Sequence, residues 1–248
     1  MKQLLKTAIT SSFQSFGIGI SSYSDIKMLL ALPKADMPLL VRYLKTSKAQ
    51  GRQDLFVLQH LNFKSNGYFV EFGATNGVDI SNTHLLEKEF GWKGILAEPA
   101  KCWHADLMKN RQAEIELSCV WKDTGSTLTF NEVDNADLST ISAYNGADFW
   151  SHAREAGKTY DVKTISLNDL LKKYKAPRNI DYLSIDTEGS EFEILNSFNF
   201  EEYSFNVITC EHNFSPVREK IHLLLSKNGY RRKLENISRY DDWYVKAR

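Results

Sequence analysis

Hydrophobic and polar residues change their spacing several times along the chain, and each change predicts a different element. Residues 68–72 are a short run dominated by β-branched and aromatic types with a glycine on either side, which is typical of a buried strand. After Gly77 the apolar residues recur at intervals of mostly three to five up to Phe90, which predicts a helix over residues 80–90. This stretch therefore predicts a strand, a glycine loop and a helix.

The same alternation continues to the end of the chain. Further strands are predicted at residues 94–98, 114–120, 162–165, 182–185 and 206–210, most of them separated by helices. Such alternation implies a parallel sheet with helices on both faces. Residues 230–235 and 242–245 are joined by a short polar turn and predict a closing antiparallel hairpin. The fold class is therefore α/β.

The N-terminal part of the chain has a different pattern. Residues 23–48 have the apolar spacing of helices, interrupted at Pro33, and predict a helical extension over residues 1–50. A main domain then spans residues 51–248. The extension forms either a cap or an interface, and a homo-oligomer built through these helices is one expectation.

A second departure lies in the middle of the chain. Residues 127–130 predict an additional strand, and residues 131–160 have no steady period. A long segment of this kind inside a compact domain is often functional, so we predict an irregular insertion over the active face of the sheet. Its aromatic and polar residues either line a pocket for the substrate or pack among themselves. These residues are Asp137, Ser139, Tyr144, Phe149 and Trp150.

Composition narrows the classes of partner. The 248 residues include 31 basic and 31 acidic side chains, so the chain has no net field for nucleic acid or an acidic membrane. Three cysteines, with no C-x-x-C pair, argue against a disulfide framework or a zinc site. No apolar run approaches the roughly twenty residues that a membrane span needs. We therefore expect a cytoplasmic protein without a membrane span and without a nucleic-acid partner.

The glycine loop excludes two familiar phosphate motifs. It lacks the GK[ST] ending of a P-loop, and it offers G-x-x-x-G where a dinucleotide site needs G-x-G-x-x-G. Instead, Glu71 precedes the first glycine, and Glu98 ends the second strand. An ionised carboxylate at that strand tip can accept from two vicinal ribose hydroxyls. The spacing therefore favours an adenosyl ligand with Glu98 on the ribose, while Glu71 either contacts the ligand or holds a neighbouring loop.

Four segments together resemble a known family. They are FVEFGATNGVDISNT, GWKGILAEP, LSIDTEGSEFEIL and TCEHN. In order and spacing they are similar to the FkbM-type S-adenosylmethionine-dependent methyltransferases, from about residue 53 to the C-terminus. Four linked motifs are far more specific than a single glycine loop.

The resemblance implies a Rossmann-like class I methyltransferase fold, a seven-stranded, mostly parallel sheet with its last strand antiparallel. It implies S-adenosylmethionine as cofactor and O-methylation of a hydroxyl, often on a sugar or polyketide, so the acceptor is a small molecule or glycan. The implied cofactor-binding residues are Glu71, Gly73, Asn76, Gly77, Ser81, Asn82, Thr83, Glu98, Pro99 and Asp186.

Polar residues at two later strand tips suggest the chemistry. Asp186 ends one predicted strand, and Glu211, His212 and Asn213 end the next. The carboxyl ends of adjacent parallel strands meet at one crevice, so we expect these groups to face the reacting methyl. Proton removal from a hydroxyl needs a base within hydrogen-bond reach. His212 is the first choice, because its unperturbed pKa lies near neutral pH, and Asp186 is the reserve.

A metal-assisted alternative uses the same tips. Asp186, Glu211 and Asn213 offer hard oxygen ligands that suit Mg²⁺, which would bridge two acceptor hydroxyls and lower their pKa. A different class of function also stays open: a noncatalytic binding module that kept the sheet and acts through its N-terminal helices. A nucleotide-dependent oxidoreductase is disfavoured by the missing G-x-G-x-x-G.

Overall fold

A computed structural model describes residues 23–146 and 150–247 of the chain. The helices are α1 (Tyr23–Ala31), α2 (Met37–Leu44), α3 (Gln53–His60), α4 (His84–Phe90), α5 (His104–Asn110), α6 (Leu167–Lys173), α7 (Glu191–Asn196) and α8 (Arg218–Lys227). The strands are β1 (Tyr68–Phe72), β2 (Lys93–Ala97), β3 (Glu114–Glu116), β4 (Cys119–Trp121), β5 (Thr127–Glu132), β6 (Thr140–Ile141), β7 (Lys158–Ser166), β8 (Asn179–Ile185), β9 (Ser204–Glu211), β10 (Tyr230–Lys233) and β11 (Asp241–Lys246).

The main sheet has seven strands in the order β10, β11, β9, β8, β1, β2, β3. β11 pairs antiparallel with both of its neighbours, and every other pair in this sheet is parallel. The central strands are covered on both faces, as shown by the complete burial of Phe69 and Val70, which point to opposite sides. The predicted α/β class with a mixed sheet is confirmed.

A second sheet, in the order β4, β7, β5, β6, differs from the single predicted sheet. The predicted strand 114–120 is two strands, because β3 ends at Glu116 and β4 joins β7 instead. Glu116 marks the break, since its side chain accepts from Ser118 N–H at 2.9 Å and from Lys173 Nζ at 2.6 Å. The predicted insertion 131–160 is also more regular than expected, because β7 starts at Lys158 and runs antiparallel to β5.

The N-terminal helices pack against one face of the main sheet. Met28, Leu40 and Leu44 are buried in one apolar cluster with Leu55 of α3. Leu30 remains 74% exposed, so α1 also presents an apolar side chain to solvent. In the part of the chain that the structure describes, no helix has both the length and the apolar character to cross a membrane. The boundary at residue 50 and association through these helices stay predictions.

Polar contacts tie the end of this extension to the main domain. Arg52 Nε donates to Asp25 Oδ1 at 2.8 Å, and Gln53 Nε2 donates to Asp241 Oδ2 at the start of β11. Ala49 forms a parallel bridge with Ile80. The segment around residue 50 therefore lies beside the loops at the carboxyl ends of the strands.

Candidate active site

The candidate site lies at the carboxyl ends of β1 and β8. The chain proceeds from β1 to β2 on one side and reaches β8 and β9 on the other, so this is the point where strand order reverses, and where ligands bind in open α/β sheets. A cleft of about 620 Å³, open solvent included, lies there. It is lined by Phe72, Gly73, Thr75, Ile80, Ala97, Glu98, Pro99, Cys119, Val120, Phe130, Ala136, Asp137, Ser139, Ile141, Asp186, Thr187, Glu188 and Ser190.

Glu98 has the position that the sequence predicts for a ribose ligand. One carboxylate oxygen accepts from Thr75 N–H and the other from Ala100 N–H, both at 2.8 Å. A carboxylate oxygen has two lone pairs, so each still has one for a hydroxyl in the cleft. Burial raises the pKa of Glu98 to about 7, against the lowering effect of these two bonds. Beside Glu98, the buried apolar side chains of Val120 and Phe130 suit an adenine ring, so the cleft fits an adenosyl group.

Glu71 does not line this cleft. Its carboxylate accepts from Asn82 N–H at 2.6 Å, from Ser81 Oγ at 3.0 Å and from Thr83 Oγ1. Burial raises its pKa, while Arg111 and these hydrogen bonds act in the opposite direction. The geometry thus favours the second of the two roles considered, a carboxylate that holds a loop. Ser81, Asn82 and Thr83 form that loop behind the cleft, so direct cofactor contact by these four residues stays a prediction.

Arg111 completes this network, and sequence reasoning missed it. Its fully buried guanidinium donates to Gly77 O at 3.0 Å, to Ser81 Oγ at 3.1 Å and to Thr83 Oγ1 at 2.9 Å. It also pairs with Glu87 at 2.9 Å. The residue stands after α5, in no motif, so no signal in the sequence connected it with the loop. Because of this loop, α4 begins at His84 and not at the predicted residue 80.

The two loop glycines are needed for packing within the chain. Gly73 has φ of +72°, and a Cβ there would lie 2.0 Å from Asp186 O. Gly77 has φ of +78°, and its Cβ would lie 2.6 Å from Arg111 Cγ. Both positions therefore require glycine before any ligand is considered. The Asn76 side chain accepts from the N–H groups of Val78 and Asp79 at 2.9 Å, so it shapes the turn, and its predicted cofactor contact is not shown.

Three carboxylates meet where β8 and β9 end. Oxygen atoms of Asp186, Glu188 and Glu211 lie within 4.8 Å of one another. The Asp186 and Glu211 carboxylates are thus close enough for the charge of each to act on the other. Burial, and then the charge of Asp241, raises the pKa of Asp186 to about 8. Burial, and then Asp186, raises the pKa of Glu211 well above its usual value. Like charges this close cannot both ionise easily, so the pair tends to retain a proton at neutral pH.

Neighbouring groups fix the loop that carries Asp186. Glu188 Oε2 accepts from Arg154 Nη2 at 2.6 Å and from Asn213 Nδ2 at 3.2 Å. Arg154 is fully buried, comes from the predicted insertion and was not singled out by the sequence. Glu191 Oε1 accepts from Thr187 N–H at 2.9 Å and from Gly189 N–H at 3.0 Å, as Glu71 does for its own loop. Glu188 therefore joins Asp186 and Glu211 of the predicted metal set, and Asn213 adjoins the three through its bond to Glu188, so its role as a ligand stays a prediction.

His212 is less suited to the role of base than the sequence suggests. Its Nδ1 accepts from Phe214 N–H at 2.9 Å, which places the proton of the neutral ring on Nε2. Nε2 is buried and 3.8 Å from Asp242 Oδ1. Burial lowers the pKa of His212 although Asp242 acts to raise it. The ring therefore has no lone pair free for an acceptor, and the geometry favours a role in ordering residues 212–214.

A second cavity adjoins the carboxylate pair. It also measures about 620 Å³ with open solvent included and is lined by Tyr144, Gly189, Glu191, Glu211, His212, Asn213, Ser215, Pro216 and Val217. The predicted acceptor residues are thus divided: Tyr144 lines this cavity, whereas Asp137 and Ser139 line the first cleft. Trp150 is 39% exposed, and Phe149 lies outside the described residues.

Comparison with protein families identifies the chain as a methyltransferase. The profile of the methyltransferase FkbM domain matches residues 71–232, which is well over half of the chain. The chain belongs to this family, as its four sequence segments predicted. The family implies S-adenosylmethionine as the methyl donor. Comparison with curated protein sequences gives no significant match.

Three solved structures are similar at low sequence identity. A Pyrococcus horikoshii protein proposed to be an RNA methyltransferase has 13% identity and a TM-score of 0.38, with 79% of this chain and 81% of that chain covered. Precorrin-6y C5,15-methyltransferase from Geobacter metallireducens has 11% identity and a TM-score of 0.37, with 73% and 72% covered. Fibrillarin, in complex with Nop5p, has 11% identity and a TM-score of 0.34, with 74% and 73% covered.

Proposed function

We propose that the protein is an S-adenosylmethionine-dependent O-methyltransferase that acts on a hydroxyl of a sugar, glycan or related small natural product. One observation carries the proposal: Asp186, which has a carboxylate oxygen within 4.8 Å of one of Glu211, lines the same cleft as Glu98. Proton-accepting groups thus adjoin an adenosyl-binding cleft. A cytoplasmic location and a lack of nucleic-acid partners are part of the same proposal.

The cofactor would be held from two sides. The Glu98 carboxylate accepts from the ribose hydroxyls, and the apolar walls at Val120 and Phe130 enclose the base. S-adenosylmethionine supplies an electrophilic methyl group when it is bound. The loop that Glu71 and Arg111 fix keeps this side of the cleft rigid, so binding costs little reorganisation.

The carboxyl pair would remove the acceptor proton. An unprotonated oxygen of Asp186 or Glu211 would take the proton of the acceptor hydroxyl as the methyl group leaves the donor sulfur for the acceptor oxygen, with S-adenosylhomocysteine as the leaving group. Because burial and mutual repulsion raise the pKa of both groups, a carboxylate here is a stronger base than an exposed one. The proton already shared by the pair keeps the two groups from repelling each other before the acceptor arrives.

A calorimetric titration with S-adenosylhomocysteine, with NAD as the control, tests the first half of the proposal. Saturable binding of S-adenosylhomocysteine alone is expected. A methyl-transfer assay on a panel of pyranosides and polyketide alcohols tests the second half. Binding of NAD, or methylation confined to nitrogen or carbon acceptors, would refute the proposed reaction.

A metal-assisted form of the same reaction has its own support in the three clustered carboxylates. Asp186, Glu188 and Glu211 offer the hard oxygen ligands that Mg²⁺ prefers. Glu188 is already engaged by Arg154 and Asn213, so a metal here would leave those donors in place and use the remaining lone pairs. Turnover in EDTA with and without added Mg²⁺ distinguishes the two forms. Full activity after chelation would exclude the metal form.

A further inference from the structure

We propose that the second cavity is the acceptor site and that Phe214 at its rim selects acceptors by stacking on the C–H face of a pyranose ring. This inference rests on the proposed function and adds the place and the shape of the acceptor. Nothing in the family match assigns a residue to this task.

The connection between the two cavities comes from the carboxyl pair. Asp186 lines the first cleft and Glu211 lines the second cavity, and oxygen atoms of the two side chains lie within 4.8 Å of each other. A hydroxyl that contacts Glu211 from the second cavity is therefore one carboxyl group away from the cleft. In-line transfer needs the acceptor oxygen to approach from a side that the donor does not fill. The second cavity shares no lining residue with the first cleft, so a donor held in the cleft would not fill it.

The chain presents Phe214 in an unusual way. Asn213 and Phe214 both have left-handed backbone conformations, with φ of 43° and 56°, and the Phe214 side chain is 62% exposed. Non-glycine residues in this region are uncommon and cluster at ligand-binding sites. The residues on both sides of Phe214, Asn213 and Ser215, line the cavity. Phe214 does not itself line the cavity, but its ring lies against the ring of His212, which does.

His212 and Tyr240 hold the ring in place. The Phe214 ring meets the His212 ring edge to face at 5.3 Å and the Tyr240 ring at 5.7 Å between centroids. The bond from Phe214 N–H to His212 Nδ1 fixes the backbone at the same point. An exposed aromatic ring that is ordered in this way offers a flat apolar surface at little entropic cost. This also explains why His212 is buried without serving as the base.

The lining suits a pyranose. A sugar ring has one largely apolar C–H face and a rim of hydroxyls, so its site needs apolar surface together with a few hydrogen-bonding groups. The apolar surface comes from Pro216, Val217 and the Tyr144 ring. The hydrogen-bonding groups are Glu211 and Ser215, and Glu211 is the group nearest the reaction.

The test uses the full chain loaded with S-adenosylhomocysteine and saturation-transfer NMR with a set of methyl pyranosides. Sorbitol, which has the hydroxyls without a ring face, is the ligand control. Phe214→Ala is expected to weaken pyranoside binding by about tenfold, the order expected for loss of one aromatic contact, and Phe214→Trp to restore it. Leu223→Ala is the matched protein control, because Leu223 is 68% exposed on α8 and does not line the cavity.

The outcomes separate this inference from the proposed function. Equal pyranoside binding by Phe214→Ala and the unaltered chain, or equal signals from sorbitol and pyranosides, would overturn the inference while S-adenosylhomocysteine binding still supports the methyltransferase. Failure to bind S-adenosylhomocysteine at all would refute both. Loss of pyranoside binding in Phe214→Ala, with S-adenosylhomocysteine affinity unchanged, supports both.

Discussion

The loops that follow β1 and β9 lie at the same edge of the sheet, yet they use buried polar groups in opposite ways. After β1, the Glu71 carboxylate and the Arg111 guanidinium are bonded to the loop on several sides. After β9, Glu211 is held against Asp186, a group of the same charge, and Phe214 is left exposed. A satisfied network rigidifies, whereas like charges held together raise proton affinity. The first loop thus fixes geometry, and the second carries the groups to which the proposed function assigns the reaction.

The largest effect is expected on turnover, from substitutions of Asp186 and Glu211. Asp186→Asn and Glu211→Gln each remove a proton acceptor, so turnover should fall by about 10²–10⁴-fold, the usual contribution of a general base. S-adenosylhomocysteine affinity, measured by calorimetry, should change far less. Glu193→Gln, which removes a partly exposed carboxylate on α7, is the control. Near-normal turnover by both site variants would remove the distinction between the two loops.

For the loop after β1, substitutions should change the free energy of unfolding. Arg111→Met leaves the buried Glu71 without its cation and removes one of the two cations of the half-buried Glu87, and breaking a buried pair in this way costs about 3–5 kcal/mol of unfolding free energy. Urea denaturation measures the change. Lys109→Met, which alters an exposed cation in the last turn of α5, two residues before Arg111, should be neutral. If the two variants were equally stable, the network around Glu71 would not be what fixes the loop.

Substitution of Glu98 should weaken cofactor binding, and this effect should be smaller than the two effects above. Glu98→Gln replaces charged hydrogen bonds to the ribose with neutral ones, which should weaken S-adenosylhomocysteine binding by about 1.5–3 kcal/mol. The pKa of Glu98 is about 7, so the unaltered chain should lose affinity as pH falls below 7, and the glutamine variant should not. The amide nitrogen of the glutamine cannot accept from Thr75 N–H or Ala100 N–H, so the loss of one of these bonds offsets the removal of the buried charge. Parallel pH profiles would mean that Glu98 does not contact the ligand as a carboxylate.

The smallest effect is expected at His212. His212→Gln keeps an acceptor near Phe214 N–H, so the loop should stay ordered and kcat should change by less than about tenfold, below the range for loss of a base. Any loss should appear in the KM of the acceptor. A kinetic pH profile checks this. A drop in kcat as large as that of Asp186→Asn would restore His212 as the base. The group that removes the proton would then lie in the loop after β9 and would not be the Asp186–Glu211 pair.

Much of the fold and one side of the site followed from the sequence. The strand and helix alternation predicted the α/β class, and the tip of β2 predicted Glu98, because both depend on local periodicity and on the general geometry of parallel sheets. Asp186 and Glu211 were also brought together as expected, since β8 and β9 are neighbours.

Contacts between distant segments could not be predicted. Arg154 reaches Glu188 across 34 residues, and no local pattern distinguishes it from any other arginine. The second sheet depends on β4 leaving the main sheet at Glu116, a choice made by tertiary packing. For His212, the residue type suggested a base, but which ring nitrogen is free depends on Phe214 N–H, which only the folded loop reveals.

The sequence separation between Arg111 and its partners also affects the order in which the chain folds. Its partners at Gly77, Ser81 and Thr83 lie 34, 30 and 28 residues away, whereas the bond from Gln53 to Asp241 spans 188. A shorter loop costs less entropy to close than a longer one, so the contacts of Arg111 should form before the bond from Gln53 to Asp241. We therefore expect the unit from β1 to Arg111 to be structured in the transition state, with substitutions there slowing refolding, whereas substitutions at Gln53 mainly speed unfolding.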